Sequence, residues 1–141
     1  MKKLFVYGSL RKGSFNYKKI LNGKVINREM GKTVGNLFHL ENKGYPALIK
    51  GSNEVIGEII TLKSKEILDA IDTIENYNSL DYEKSEYLRK PIKVTNLETE
   101  SVEILDAYVY NTNSKKNFND LLKIVSSGDW LQYIESKVNN V

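Results

Sequence analysis

The sequence predicts an α+β domain, a small mixed or antiparallel β-barrel flanked by helices and spanning residues 1–141 as one unit. Three observations carry this expectation. Short runs of aromatic and branched apolar residues recur through most of the chain. Glycine- and asparagine-bearing turns separate them. One strongly periodic helical segment interrupts the series, and helical patterns return only near the C-terminus. Strands broken by a single central helix favour a mixed or antiparallel sheet over a repeating parallel one. Six or so short strands with glycines at their bends suit a partly closed barrel.

Taken in order, residues 4–7 read as a first strand that stops abruptly at Gly8. Residues 15–21 place Tyr17, Ile20 and Leu21 at near-helical spacing, closed by Gly23. Residues 34–40, 47–50 and 55–62 read as strands, with "NKGYP" and "KGSNE" as the turns between them. Residues 87–94 and 102–110 alternate like a hairpin joined through "TNLETE". Residues 118–125 carry Phe118, Leu121, Leu122 and Val125 at helical spacing. Asp129 then reads as an N-cap with Gln132 completing a capping box, and Trp130, Tyr133, Ile134 and Val138 give the last helix one apolar face.

Composition narrows the chemistry. Cysteine is absent, so thiolate catalysis and disulfides are excluded. The one histidine, His39, lies in an apolar strand and reads as structural; multi-histidine metal sites and a Ser-His-Asp triad do not fit. Phosphate-binding and dinucleotide glycine motifs are also missing, and no metal or other cofactor is expected for the reaction implied below. No apolar run approaches the roughly 20 residues of a membrane span, nor is there a signal-peptide pattern, so a cytoplasmic location is the expectation. The net charge is +3, but the arginines are only Arg11, Arg28 and Arg89, a poor basis for base readout.

Within the helical segment "SKEILDAIDTIENY", one carboxylate stands out. Taking Ile67 as zero and about 100° per residue, Leu68, Ile71 and Ile74 cluster within an arc of roughly 120°. Glu75 falls at roughly 80°, inside that apolar arc, while Asp69 and Asp72 fall on the polar side at roughly 200° and 140°. Asn76 follows as a C-cap residue, which puts Glu75 in the last turn, where the helix dipole opposes its charge. Partial burial and the dipole both favour the protonated form, as a neutral-pH acid/base requires.

These stretches together resemble the γ-glutamylcyclotransferase-like proteins, a group that includes γ-glutamylamine cyclotransferases. The resemblance rests on "FVYGSLRKG", "GYPAL", "GEII", "LDAIDTIENY", "YLRKPIKV", "AYVY" and "SSGDWLQY" in that order, nearly the whole chain. It implies a barrel with a pocket at one end, in which Tyr7, Gly8, Ser9 and Leu10 form the substrate-binding loop and Glu75 is the catalytic acid/base. The implied reaction cyclises a γ-glutamyl group to 5-oxoproline and frees the attached amine or amino acid. Many members have Asn-His after the loop, where this chain has Asn16-Tyr17.

Broken at Gly8, the first strand would leave the amides of Gly8, Ser9 and Leu10 free to form an anion-binding nest. Tyr45, Tyr87, Tyr108 and Tyr110 are candidate pocket donors, each with a core-packing alternative. Arg89 shares a strand face with Tyr87 and is a candidate carboxylate partner. The expected partner is thus a small γ-glutamyl substrate, with no nucleic acid and no membrane. Two further readings stay open: a non-catalytic small-molecule binder on the same fold, and a barrel that binds single-stranded nucleic acid through "SLRKGSFNYKK".

Overall fold

The computed structural model describes residues 2–114, 117, 120 and 122–139. Among these, β1 (Lys2–Val6), β2 (Val25–Leu40), β3 (Tyr45–Leu62), β4 (Tyr87–Asn96), β5 (Val102–Tyr110) and β6 (Leu122–Ile124) make one mixed sheet in the order β3-β1-β5-β4-β2-β6. A further antiparallel pairing of β2 with β3 closes five of these strands into a barrel, and β6 extends the edge of β2. The β1–β5 pair is parallel; every other pair is antiparallel.

Closure explains why β1 reads as a continuous apolar run: both of its faces are covered. Phe5 and Tyr7 join Leu37, Val55, Ile59, Val94 and Ala107 in a cluster that draws on all five barrel strands. Leu4 and Val6 point the other way, into a cluster with Ile60, Leu62 and Tyr108 that includes Leu68 and Ile71 of α1 (Glu66–Ile74).

Local signals decide several elements. The turn before β3 holds Gly44 at φ 81°, with Lys43 and Gly44 amides both donating to Leu40 O. The β4–β5 hairpin is built on Asn96, whose Oδ1 accepts from the amides of Glu98 and Thr99. At the start of α2 (Trp130–Asn139), Asp129 Oδ1 accepts from Gln132 N at 3.2 Å, the expected N-cap. Ser127 Oγ, rather than Gln132, receives the Asp129 amide.

Three expectations change. "KGSNE" is not a reversal but a bend within β3: the register passes from Gly35↔Asn53 to Asn36↔Ile49, so residues 50–52 bulge and the same strand resumes. The segment 17–21 is a single π-helical turn, with Asn22 N bonded to Tyr17 O. In the expected 118–125 helix, residues 122–124 instead form β6, and Phe118 and Leu121 lie outside the described residues. Beyond Gly31 and Lys32, β2 has left β4, so its Phe38–Leu40 edge has unpaired backbone groups for β6 to cover.

Candidate active site

The first strand ends at Val6, and the chain turns tightly, with Arg11 N donating to Gly8 O at 2.9 Å. Ser9 is held from two sides: its carbonyl accepts from Tyr17 N at 3.0 Å and its hydroxyl from Asn16 Nδ2 at 2.7 Å. Among the described residues, the amides of Gly8, Ser9 and Leu10 donate to no protein acceptor. The glycine has a packing cause as well. A Cβ at Gly8 would come within 2.5 Å of Pro46 Cγ, so the loop sits against the proline ring with no room for a side chain.

The basic turn after the loop is not a solvent-facing cation. Arg11 is buried, donating to Glu58 Oε2 at 3.0 Å and to Asp129 Oδ1 at 2.8 Å. Glu58 also accepts from Lys12 N and from the Arg28 guanidinium, which lies over the Tyr17 ring. This network ties the loop to the barrel wall and to the capping residue of α2. The arginine and tyrosine of the basic, aromatic stretch are therefore spent on internal contacts.

Opposite the loop, α1 ends in a Schellman motif. Tyr77 N donates to Asp72 O at 2.9 Å and Asn76 N to Thr73 O at 3.2 Å, with Asn76 at φ 50°. Glu75 is the C-cap residue, and its N–H still donates to Ile71 O at 2.9 Å. Its carboxyl faces the pocket, and among the described residues no hydrogen bond or ion pair reaches it. Burial, then the charges of Glu86 and Asp72, pushes it up to about 8. At neutral pH it is mostly protonated.

Tyr7, Gly8, Ser9, Leu10, Tyr45, Glu75 and Tyr87 line one pocket with Tyr108 and Asn16. Counting the open space at its mouth, the pocket holds about 480 Å³. Its tyrosines are fixed. Tyr7 OH donates to Tyr108 O at 2.5 Å, and Tyr87 OH to Pro46 O at 2.5 Å. Burial raises both hydroxyls above the ordinary tyrosine value, followed by Glu75 for Tyr7 and by Tyr7 and then Glu75 and Glu86 for Tyr87.

Two expected binding residues stand outside the lining. Arg89 does share a face with Tyr87, but Asp72 of α1 takes its guanidinium at 3.5 Å and the Tyr77 ring lies beneath it at 5.6 Å. Asp72 also accepts from Tyr108 OH, so it faces the sheet rather than the polar side that helical phase assigned it. Tyr110 OH donates to Asp120 Oδ2 at 2.5 Å, behind the pocket. Conversely, Glu86, Asn16 and Pro46 line the site without having been singled out. Pro46 lies within the quoted "GYPAL". Glu86 directly precedes β4, within a polar stretch that carries no local signal of burial.

His39 pairs with Pro46 in the β2–β3 register but is not part of the pocket lining. Its Nδ1 accepts from Trp130 Nε1 at 3.0 Å, and its ring packs on Trp130 and Tyr133, which docks α2. Among the described residues, no helix is long and apolar enough to cross a membrane, and no cluster of acidic and histidine side chains could hold a metal ion.

A closed five-strand mixed barrel with one pocket at the end of its first strand is a defined class of architecture, and comparison with known proteins places it. The chain belongs to the family described as γ-glutamyl cyclotransferase, AIG2-like, whose model matches residues 4–132. It is 32% identical over 133 residues to the γ-L-glutamyl-butirosin B γ-glutamyl cyclotransferase of Niallia circulans, covering 94% of this chain and 78% of that protein. Among solved structures it resembles an AIG2-like protein from Mus musculus, with a TM-score of 0.66 and 23% identity over 87% of this chain and 86% of the other. YkqA from Bacillus subtilis gives a TM-score of 0.67 and 23% identity over 97% of this chain, which spans only 42% of the YkqA chain. These two likenesses establish the fold.

Proposed function

We propose that this chain is a γ-glutamyl cyclotransferase, converting a γ-glutamyl amine or γ-glutamyl amino acid to 5-oxoproline and the free amine. One observation carries the reading: the Glu75 carboxyl, without a hydrogen-bond or ion-pair partner among the described residues, lines the same pocket as a loop whose three amides have no described acceptor. Family membership and the name of the Niallia circulans relative support it.

In this reading the substrate's α-carboxylate and the oxygen of its γ-carbonyl are held by the Gly8–Leu10 amides, with Tyr7, Ser9, Tyr45 and Tyr87 shaping the wall. The α-nitrogen attacks the γ-carbonyl carbon, forming the ring C–N bond. Negative charge that builds on the carbonyl oxygen is stabilised by amide donors. Glu75, once ionised, accepts the proton that the attacking nitrogen sheds and delivers it to the departing nitrogen as the original amide C–N bond breaks. The protons balance within the pair, so the step as written needs no other reactant. Orienting the bent glutamyl chain supplies several kcal/mol through lost rotational freedom paid at binding.

The test is release of 5-oxoproline from a panel of γ-glutamyl amines and γ-glutamyl amino acids. Turnover of at least one class supports the reading and names the leaving group. No release anywhere in the panel, with the ligands nonetheless raising the thermal midpoint, would replace it with a binding function.

A further inference from the structure

Two carboxylates line the pocket, and the protein treats them in opposite ways. Glu86 collects three donors. Lys43 Nζ at 2.5 Å and Tyr45 OH at 2.6 Å both reach its Oε2, and Asn76 Nδ2 reaches Oε1 at 3.2 Å. Lys43 is shared with Asp120 at 2.9 Å, and Asp120 in turn accepts from Tyr110. Glu75, directly before the same Asn76, receives none among the described residues. Hydrogen bonds and a cation are thus concentrated on one carboxyl of the concavity and withheld from the other.

Glu86 also grips the end of α1. Its backbone N–H donates to Asn76 O at 2.9 Å while its side chain accepts from the Asn76 amide, a reciprocal pair on the residue directly after Glu75. Asn76 is the left-handed residue of the Schellman motif, so the clamp acts on the turn that aims Glu75.

We propose that Glu86 is a positioning residue for Glu75: through Asn76 it fixes where the end of α1 places that carboxyl, and its own carboxyl, held by Lys43 and Tyr45, sets the charge that Glu75 faces. The catalytic meaning of this division rests on the cyclotransferase reading. The groups facing Glu75 are Asp72 on its own helix, Tyr7 at the end of β1, Tyr45 of β3, Glu86 and Tyr87 at the start of β4, and Tyr108 of β5. Burial keeps the four tyrosines neutral, and Asp72 is engaged by Tyr108 and Arg89. Glu86 is thus the facing charge that lies on the pocket wall itself, and an isosteric substitution removes it.

The experiment follows side-chain carboxyl carbons by NMR across pH in protein labelled at glutamate, with Glu75→Gln assigning the Glu75 resonance. Wild type should show Glu75 titrating at about 8. In Glu86→Gln its midpoint should fall by about one pH unit, the scale of a like charge in one site, and the rising limb of kcat/KM should move with it. Should Glu86→Gln fail to fold, Glu86→Ala removes the same charge while its backbone pair with Asn76 is kept, and should lower the same midpoint. Asn76→Gly keeps the left-handed turn but removes the side-chain grip; it should lower kcat while leaving that midpoint high. A Glu75 midpoint unmoved in folded Glu86→Gln or Glu86→Ala overturns the proposal. The NMR result stands whether or not 5-oxoproline is released, so failure of the cyclotransferase reading is seen separately.

Discussion

The Arg11 guanidinium donates to Glu58 Oε2 at 3.0 Å from a side chain only 7% exposed, toward a carboxylate only 5% exposed. The pair holds the Gly8–Leu10 loop against β3, and the second arm of Arg11 reaches the N-cap of α2. The short turn at the end of β1 is therefore fixed from outside by a buried charge network. Arg11→Met should cost about 2–4 kcal/mol, because Glu58 and Asp129 lose a partner while Arg28 still covers part of the Glu58 charge. Chemical denaturation reads this directly, and a loss below about 0.5 kcal/mol would show that the network does not hold the loop.

Gly8 meets Pro46 with no space between them. Gly8→Ala should destabilise by about 1–3 kcal/mol through overpacking. Pro46→Ala should relieve most of that in the double variant, since the collision is with ring carbons that alanine lacks. A double-mutant cycle checks it. Additive losses would place the strain elsewhere.

His39 predicts a pH effect on stability. Burial, and the nearby Lys137 and Lys123, lower its proton affinity below the ordinary histidine value, against a smaller opposing pull from Glu41. The unfolded chain then binds the proton more readily than the folded one. Stability from this group is present above the unfolded histidine value of about 6.5 and is lost as pH falls through and below it. Denaturation midpoints at pH 7.5 and 5.5 should show the fall, flattened in His39→Gln, which can still accept from Trp130. Equal pH dependence in both proteins would contradict the assignment.

The same linkage has the opposite sign at Glu75. Its folded-state proton affinity is raised to about 8, so folding favours the protonated group and stability is lost as pH rises through that value. Glu75→Gln should thus exceed wild type in stability at pH 9 by on the order of 2 kcal/mol, allowing for partial access to solvent. Near pH 4 the two should converge. A variant no more stable than wild type at pH 9 would mean that the carboxyl is not held protonated.

What the sequence made legible was local. The first strand and its stop, the apolar face of α1 with Glu75 inside it, the asparagine cap after Glu75 and the Asp129 cap each depend on residues within one or two turns. What stayed hidden depends on partners far along the chain. The polar first half of β2 is a strand only because β3 runs beside it, and residues 122–124 become β6 because the edge of β2 needs covering. Turn chemistry at residues 50–52 was present, but pairing on both sides made it a bulge. Glu86 sits in the polar run "EKSEY", and its burial is set by Lys43, Tyr45 and Asn76 from two other elements. Arg89 and Tyr110 lie near the pocket in sequence logic, yet Asp72 and Asp120 draw them behind it.

The rising limb of the reaction should report the same group. In wild type, kcat/KM for 5-oxoproline release should increase with pH through about 8 as free Glu75 ionises. A limb centred near 4.5 would assign the proton relay to an ordinary exposed carboxylate instead.

The most direct measurement of the central claim is 5-oxoproline release by folded Glu75→Gln beside wild type, at saturating γ-glutamyl substrate and pH 8. Gln keeps the size and the cap position of residue 75 but cannot take up the proton. The account predicts a fall in kcat of about 10²–10⁴-fold with substrate binding retained. Residual turnover within about tenfold of wild type would contradict it, and would move the proton relay to another group in the pocket.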